Sequence, residues 1–508
     1  MRKRKVMVLL LTCILLASSL AGCGGGAGPA GIDKDAPVVI YSDVQYNTLD
    51  PYQTNATSDN LIFTNVYECL VRVDNEGAII PQLAKSWDVS DDGLVYTFDL
   101  ADNAHFHNGD NVKASDVVFS IDYARQYARR MTFYEMIETV KALDDYTVEI
   151  RLSNMSPLFM SYLYYLPVLS ESYVTEHDGD IRLNTCGSGP YRVVEFDSAT
   201  HCKLEAVEDY HLGAPAIQNV EFRYYSDASS AQVAFETGEI QVMSLVPSAA
   251  EGVVSTGKYN HESVPTLHCS LMLLNHEKAP LDNVLVRKAL SYAVDKQACI
   301  DIAYDGYATE LRLIPDTDCF GVDFSDAEDI SYNPEYAKEL LTEAGYPDGL
   351  NFADYGIVLD VIPSGYYEKM AQVVQMNWKD VGIDIEIVGN ANSDSDVPNG
   401  NYAIFTYGYA FKSDLSYNQV HYSSNNGLNS ARFVDSYSDE AFAQADVELD
   451  PAVRAEIYKD LVTHLVDQCV NIPIFRRQSI IAWDKNIKAN FYTDVNHMYF
   501  VYDWSWTN

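Results

Sequence analysis

Apolar and polar positions alternate with period two over Leu94-Val95-Tyr96-Thr97-Phe98-Asp99-Leu100, and a similar run, Trp87-Asp88-Val89-Ser90, precedes it across Asp91-Asp92-Gly93. Successive strand side chains point to opposite faces, so this pattern around a glycine turn predicts a β-hairpin. Thr147–Leu152, after Asp144-Asp145, predicts another strand, and residues 115–124 between them predict a helix capped by Ser115. In the second half the period changes. Val286, Leu290, Ala293 and Val294 fall on one face of a helix predicted over roughly 283–303. Asn333-Pro334-Glu335 supplies a cap, a first-turn proline and an acid at the positive end of the helix dipole; Ala337, Leu340, Leu341 and Ala344 form the stripe, and Gly345 closes it. Residues 370–378 predict a further helix, followed by a strand over 381–387. Helix, glycine turn and strand in succession predict an α/β fold. Residues 390–401, rich in loop formers, predict a surface loop.

Length and composition bound the rest. The chain has 508 residues, 47% hydrophobic and 21% charged, which predicts two or three domains rather than one core. Its net charge is −39, from 73 acids against 34 bases, and four of those bases stand together at Arg2-Lys3-Arg4-Lys5. A surface this acidic cannot track phosphates, so nucleic acid is excluded as a partner. With 12% aromatic residues the acidity is not that of a disordered chain.

The N-terminus reads as an export signal: the basic run, an apolar stretch over 6–16 too short to span a bilayer, and Ser18-Ser19-Leu20-Ala21-Gly22-Cys23. Leu20-Ala21-Gly22-Cys23 resembles the bacterial lipoprotein box, which implies cleavage after residue 22 and lipidation of Cys23. The glycine-rich residues up to 35 then read as a tether. Beyond the leader the cysteines are Cys69, Cys186, Cys202, Cys269, Cys299, Cys319 and Cys469, an odd set without C-x-x-C spacing; buried free thiols, with room for one bridge, are expected.

Serine-elbow, zinc-helix and phosphate-loop motifs are absent, and no metal or cofactor is expected. His105-Phe106-His107 would put two imidazoles on one strand face, but without further ligand spacing the expected role is hydrogen bonding to backbone. Asp394 and Asp396 lack the glycine and glutamate of a calcium loop.

Asn47-Thr48-Leu49-Asp50-Pro51, Pro81-Gln82-Leu83-Ala84-Lys85-Ser86-Trp87, Phe106-His107-Asn108-Gly109, Gly187-Ser188-Gly189-Pro190-Tyr191, Val286-Arg287-Lys288-Ala289-Leu290 and Val381-Gly382-Ile383 are similar to stretches of the family 5 extracellular solute-binding proteins, the oligopeptide, dipeptide and nickel receptors of ABC importers. The resemblance runs from about residue 36 to the C-terminus. It implies an α/β, two-lobed periplasmic-binding-protein clamshell of type II, cluster C-like, with an extra domain inserted in the N-terminal lobe. Lobe I would comprise 36–68, 186–262 and 483–508, the inserted domain 69–185, and lobe II 263–482. Also implied are a monomer without enzymatic activity, held outside the cytoplasm by its lipid anchor, and partnership with a permease and its ATPase subunits. The expected cargo is a di- or oligopeptide; oligosaccharide, opine-like solute or nickel chelate on the same fold is the alternative, and a secreted hydrolase or adhesin the alternative of another class.

In this family two extended segments pair with the ligand backbone. The first corresponds here to Asn55-Ala56-Thr57 and the second to Tyr407-Gly408-Tyr409-Ala410, with Tyr409 where the family usually carries tryptophan. An aspartate past that aromatic residue binds the peptide ammonium. Here Lys412 occupies the nearer position and Asp414 follows, so either Asp414 serves the ammonium, Lys412 selects a carboxylate, or the two form a solvated ion pair. Tyr46, His268, Cys269, Tyr417, Asn418, Asn429 and Arg432 complete the candidates, each equally able to serve as packing.

Overall fold

The computed structural model describes residues 33–54, 59–74, 78–127, 134–312, 324, 327–410, 415–424, 429–491 and 499–507. The export leader, Cys23, the glycine tether and Cys319 lie outside the described residues. Residues 33–36 belong to a separate unit, a turn closed by the Ala36 N–H on the Asp33 carbonyl at 3.3 Å.

The body is organised on an eleven-stranded mixed sheet. Numbered along the chain within it, the strands are β1 (Val38–Ser42), β2 (Tyr191–Asp197), β3 (His201–Ala206), β4 (Asn219–Tyr224), β5 (Val242–Leu245), β6 (Tyr259–Leu274), β7 (Ala308–Glu310), β8 (Leu359–Val361), β9 (Ile387–Gly389), β10 (Ile404–Ala410) and β11 (Asn471–Asp484). Their order is β9-β8-β10-β6-β11-β5-β1-β4-β3-β2, with β7 also on β11. Two parallel sets sit within it: β1 with β4 and β5, and β8 with β9 and β10.

Two hydrophobic cores share this sheet. One gathers Val38, Ile40, Phe98, Val148, Tyr191, Phe222, Val264, Ile481 and Trp504. The other gathers Cys269, Leu273, Leu290, Trp378, Phe405, Phe442 and Phe475. The long strands β6 and β11 therefore change cores midway, between Val264 and Cys269 on one and between Phe475 and Ile481 on the other. They remain hydrogen-bonded neighbours throughout, but the register jumps from Pro265↔Gln478 to Cys269↔Arg476. The bulge is braced by side chains. Arg476, 5% exposed, donates from Nε to the Thr266 carbonyl at 2.6 Å, and Thr266 Oγ1 donates to the Arg477 carbonyl at 2.9 Å.

The predicted hairpin is present: Ala84–Val89 pairs with Val95–Leu100, with Trp87 opposite Phe98, and Gly93 turns at φ +65°. Thr147–Leu152 and Ile137–Ala142 complete a separate four-stranded antiparallel sheet. A Cβ on Gly93 would stand 2.8 Å from Leu449 Cδ1 and 3.2 Å from Met155 Cγ, so the hairpin tip of the first core touches a loop of the second. The cap at Asn333 holds as well, its Oδ1 accepting the Tyr336 N–H at 3.1 Å.

Other expectations need correction. The helix near 115 starts at Ala114, and Asp116 rather than Ser115 closes its first turn, accepting the Lys113 N–H at 2.9 Å. The stretch 283–303 forms two helices, Val284–Tyr292 and Lys296–Ala303, because Asp295 caps a new start by accepting the Ala298 N–H at 2.9 Å. Residues 381–387 give two short strands with different partners rather than one. The expected loop at 390–401 holds a helical turn, Ser393–Asn399, with Asp394 and Asp396 at its positive end and Gly400 closing it at φ +69°. The six described cysteines are buried, with no disulfide among them. Among the described residues no helix is long and apolar enough to cross a membrane.

Candidate functional site

In open parallel sheets ligands settle outside the carboxyl ends of the strands. Here both parallel sets direct those ends, Ser42 on one side and Val361 and Ala410 on the other, into loops on either side of the β6/β11 crossing. On the second side, β10 pairs with β6 from Ile404 opposite Leu274 to Ala410 opposite His268. Its other edge pairs with β8 only at Ile404 and Phe405. Tyr407–Gly408–Tyr409–Ala410 thus keeps one edge without a strand partner among the described residues. Such an edge offers alternating N–H and C=O groups to an extended ligand.

Side chains shape that edge. Tyr367, in the first turn of the helix Gly365–Asp380, lays its hydroxyl against Gly408; a Cβ there would overlap that oxygen and come within 2.9 Å of the Cys269 carbonyl, so only glycine fits. Tyr366 and Tyr367 lie against each other, tilted by 33° with ring centres 4.2 Å apart, Tyr304 meets Tyr366 edge-on at 5.6 Å, and the Arg477 guanidinium lies 5.6 Å over the Tyr366 ring. Sequence reasoning missed this aromatic wall. The adjacent tyrosines 366 and 367 at a helix start were its only local trace, because their neighbours come from 304 and 477.

Tyr409 points to the opposite face. Its hydroxyl bonds Tyr422, which accepts from Asn471 Nδ2 at 3.1 Å, and its ring stacks on His421 at 3.9 Å. Burial pushes the Tyr409 phenol well above its usual range and lowers His421 to about 4, so both stay neutral at pH 7. Tyr409 is therefore anchored to the second core. His268 is half-buried at the start of the β6/β10 pairing, its N–H on Thr266 Oγ1 at 3.2 Å, and Cys269 is 2% exposed.

The remaining candidates are spread out. Tyr46 is 1% exposed and packs within the first core. Asn429 closes a local turn by exchanging bonds with the Phe433 backbone, at 2.7 and 3.1 Å, and Arg432, at φ +52°, donates to the Pro398 carbonyl. Tyr417 and Asn418 share the turn Leu415–Asn418, where Asn418 is 2% exposed. Asn55, Ala56, Thr57, Lys412 and Asp414 lie outside the described residues.

His107 Nε2 contacts the Gly189 carbonyl at 3.0 Å, in line with the backbone role expected of it, and burial lowers its pKa to about 4. With His105, Arg192 and His211 it lines a pocket of about 400 Å³ at the β2 end of the sheet, remote from the crossing. A small, mostly apolar cavity of about 40 Å³ lies in the first core, lined by Phe63, Tyr67, Tyr164 and Phe500; Arg72, also in its lining, is 3.3 Å from Asp503.

Residues 78–430 match the family model described as bacterial extracellular solute-binding proteins, family 5 Middle. The glutathione-binding protein GsiB of Pectobacterium atrosepticum is 29% identical over 369 residues, 71% of this chain and 70% of its own. HbpA2 from Haemophilus parasuis superposes with a TM-score of 0.85 at 24% identity, covering 93% of this chain and 100% of that one. The ABC transporter substrate-binding protein CtaP from Listeria monocytogenes gives a TM-score of 0.81 at 25% identity, with 93% and 99% covered.

Proposed function

This chain belongs to the family 5 bacterial extracellular solute-binding proteins, and from that membership we propose that it captures peptides or peptide-like solutes outside the cytoplasm and hands them to the permease of an ABC importer. The observation that supports a peptide most directly is the open edge of Tyr407–Ala410. A peptide has its own N–H and C=O groups in the matching repeat, whereas a sugar has hydroxyls without that register. The relative from Pectobacterium is named for glutathione, itself a tripeptide.

Capture by two lobes needs open and closed forms of similar free energy, so that ligand contacts made only on closing decide between them. The crossing of β6 and β11 supplies the axis, and the aromatic wall of Tyr304, Tyr366 and Tyr367 one side of the site. Asn55-Ala56-Thr57 would complete the enclosure from the other lobe, with Lys412 or Asp414 choosing the charged end of the ligand. Cys23 would carry the lipid that holds the receptor beside its permease. Binding is the whole activity in this account.

Mass spectrometry of small molecules that co-purify with the mature protein identifies the cargo; peptides are expected, and a uniform recovery of sugars or nickel chelates would replace them. Titration calorimetry of Lys412→Ala and Asp414→Ala with the recovered solute then tests the charged pair. If neither shifts affinity by about threefold, roughly 0.65 kcal/mol, the pocket lies elsewhere. Hydrolysis of that solute by pure protein would count against a receptor.

A further inference from the structure

Arg477 is notable for the acceptors at hand around it. The chain carries 73 acids, yet no carboxylate lies within 4.0 Å of the Arg477 guanidinium among the described residues. Arg287, buried, spends its donors on the carbonyls of Leu281, Asp282, Gln468 and Cys469; Arg476 holds the Thr266 carbonyl. Arg477 instead lies over Tyr366, 5.6 Å from the ring centre, and meets the Tyr304 hydroxyl. Five N–H donors are thus left with one hydroxyl among them.

Its position is as telling as its bonding. Arg477 sits in the stretch of β11 that passes between the two cores, half-buried, paired through its backbone with Ala308. Tyr366, the ring beneath it, adjoins Tyr367, whose hydroxyl rests on Gly408 of the open edge. The guanidinium is therefore part of the same wall as the edge proposed to hold peptide backbone.

We propose that Arg477 is a ligand-binding residue that receives a carboxylate of the solute, so that this receptor selects acids over the corresponding amides. The inference rests on the peptide reading for its location. A guanidinium fork matches a carboxylate with two parallel bonds, and the cation–π contact with Tyr366 helps hold the group in place before ligand arrives. The surrounding field sharpens the choice. At a net charge of −39 the protein repels anions in general, so a carboxylate is accepted only where a local cation outweighs that repulsion. The first turn of the helix Gly365–Asp380, which carries Tyr366, adds the positive end of its dipole beside it.

The test is titration calorimetry of the mature protein with Ala-Ala-Ala, its C-terminal amide, and the amide of Ala-Glu-Ala, in wild type, Arg477→Gln and Arg477→Lys. Wild type should bind Ala-Ala-Ala about tenfold or more tightly than its amide, from the strength of charge-assisted bonds. Arg477→Gln should bring acid and amide within about twofold by weakening the acid alone, and Arg477→Lys should fall between. Tight binding of the Ala-Glu-Ala amide, lost in Arg477→Gln, would assign the site to a side-chain carboxylate rather than the C-terminal one. Equal binding of Ala-Ala-Ala and both amides by wild type, or undiminished acid preference in folded Arg477→Gln, overturns the proposal. Should no tripeptide bind wild type, the peptide reading fails, and a melting-temperature shift by N-acetylglycine against N-acetylglycinamide decides the carboxylate site separately. A shift by the acid that Arg477→Gln abolishes sustains it, and no such shift ends it. If Arg477→Gln does not fold by circular dichroism, Arg477→Lys carries the comparison: retention of the full acid preference with a lysine, which lacks the fork, also counts against it.

Discussion

The two cores meet at two places built in opposite ways. At the crossing, β6 and β11 are joined by backbone hydrogen bonds on both sides of a bulge, and Arg476 ties the bulge shut. At the rim, the Gly93 turn of the hairpin faces Leu449, which remains 42% exposed, and the contact is apolar side chain on bare backbone. A backbone ladder persists in every conformation the folded protein adopts. A small, half-wet apolar contact can come apart at little cost. The difference teaches which junction is held by main-chain pairing and which by a side-chain contact alone.

Breaking each junction separately should reveal that asymmetry. The largest effect is expected from Arg476→Ala, which leaves the Thr266 carbonyl without its charged donor inside the bulge. Unfolding in urea should show a loss of about 2 to 3 kcal/mol. Gly93→Ala comes next, at about 1 to 2 kcal/mol, since alanine is strained at φ +65° and its Cβ meets Leu449. Leu449→Ala should cost less than about 1 kcal/mol alone, yet it should remove the steric part of the Gly93→Ala penalty in a double-mutant cycle, leaving only the backbone part. Strict additivity would mean that hairpin and loop do not touch in solution. In the same variant, scattering should show a more open particle without ligand, while Arg476→Ala should not produce this at matched stability.

A further measurement separates the cores themselves from their junctions. Burial, helped by the Arg287 charge, lowers His276 to about 3, and burial lowers His421 to about 4, both within the second core. Their folded pKa values lie below the unfolded one of about 6.5, so the unfolded chain binds more protons between these limits. The stability they contribute is complete above about pH 6.5 and is lost as pH falls toward 4. The urea midpoint should therefore climb from pH 4.5 to 7, and His421→Asn should flatten part of the climb. An unchanged slope in that variant would place His421 in contact with water.

Local pattern carried the fold where period and cap agreed. The hairpin at Gly93 and the helix at Asn333 followed from turn and capping residues adjacent in sequence, which act over a few ångströms. The break at Asp295 and the turn at 393–399 were missed for a shared reason: apolar periodicity does not register acidic residues that bond or face helix N-termini. The site was legible only in part. Tyr407–Ala410 emerged from resemblance, and the structure adds why Gly408 must be glycine. Arg477, Tyr366 and Tyr304 come from distant parts of the chain, and no spacing rule links residues that a sheet alone brings together.

The paired crossing also has a bearing on time. Because β6 and β11 remain bonded to each other, the lobes can separate by twisting a two-stranded ribbon without any hydrogen bond being broken or remade. Motion of that kind belongs to the microsecond-to-millisecond range of hinged domains, well clear of local unfolding. Delivery would then be paced by how long solute dwells in the closed cleft, and residence time, more than equilibrium affinity, would set the throughput of the importer it supplies.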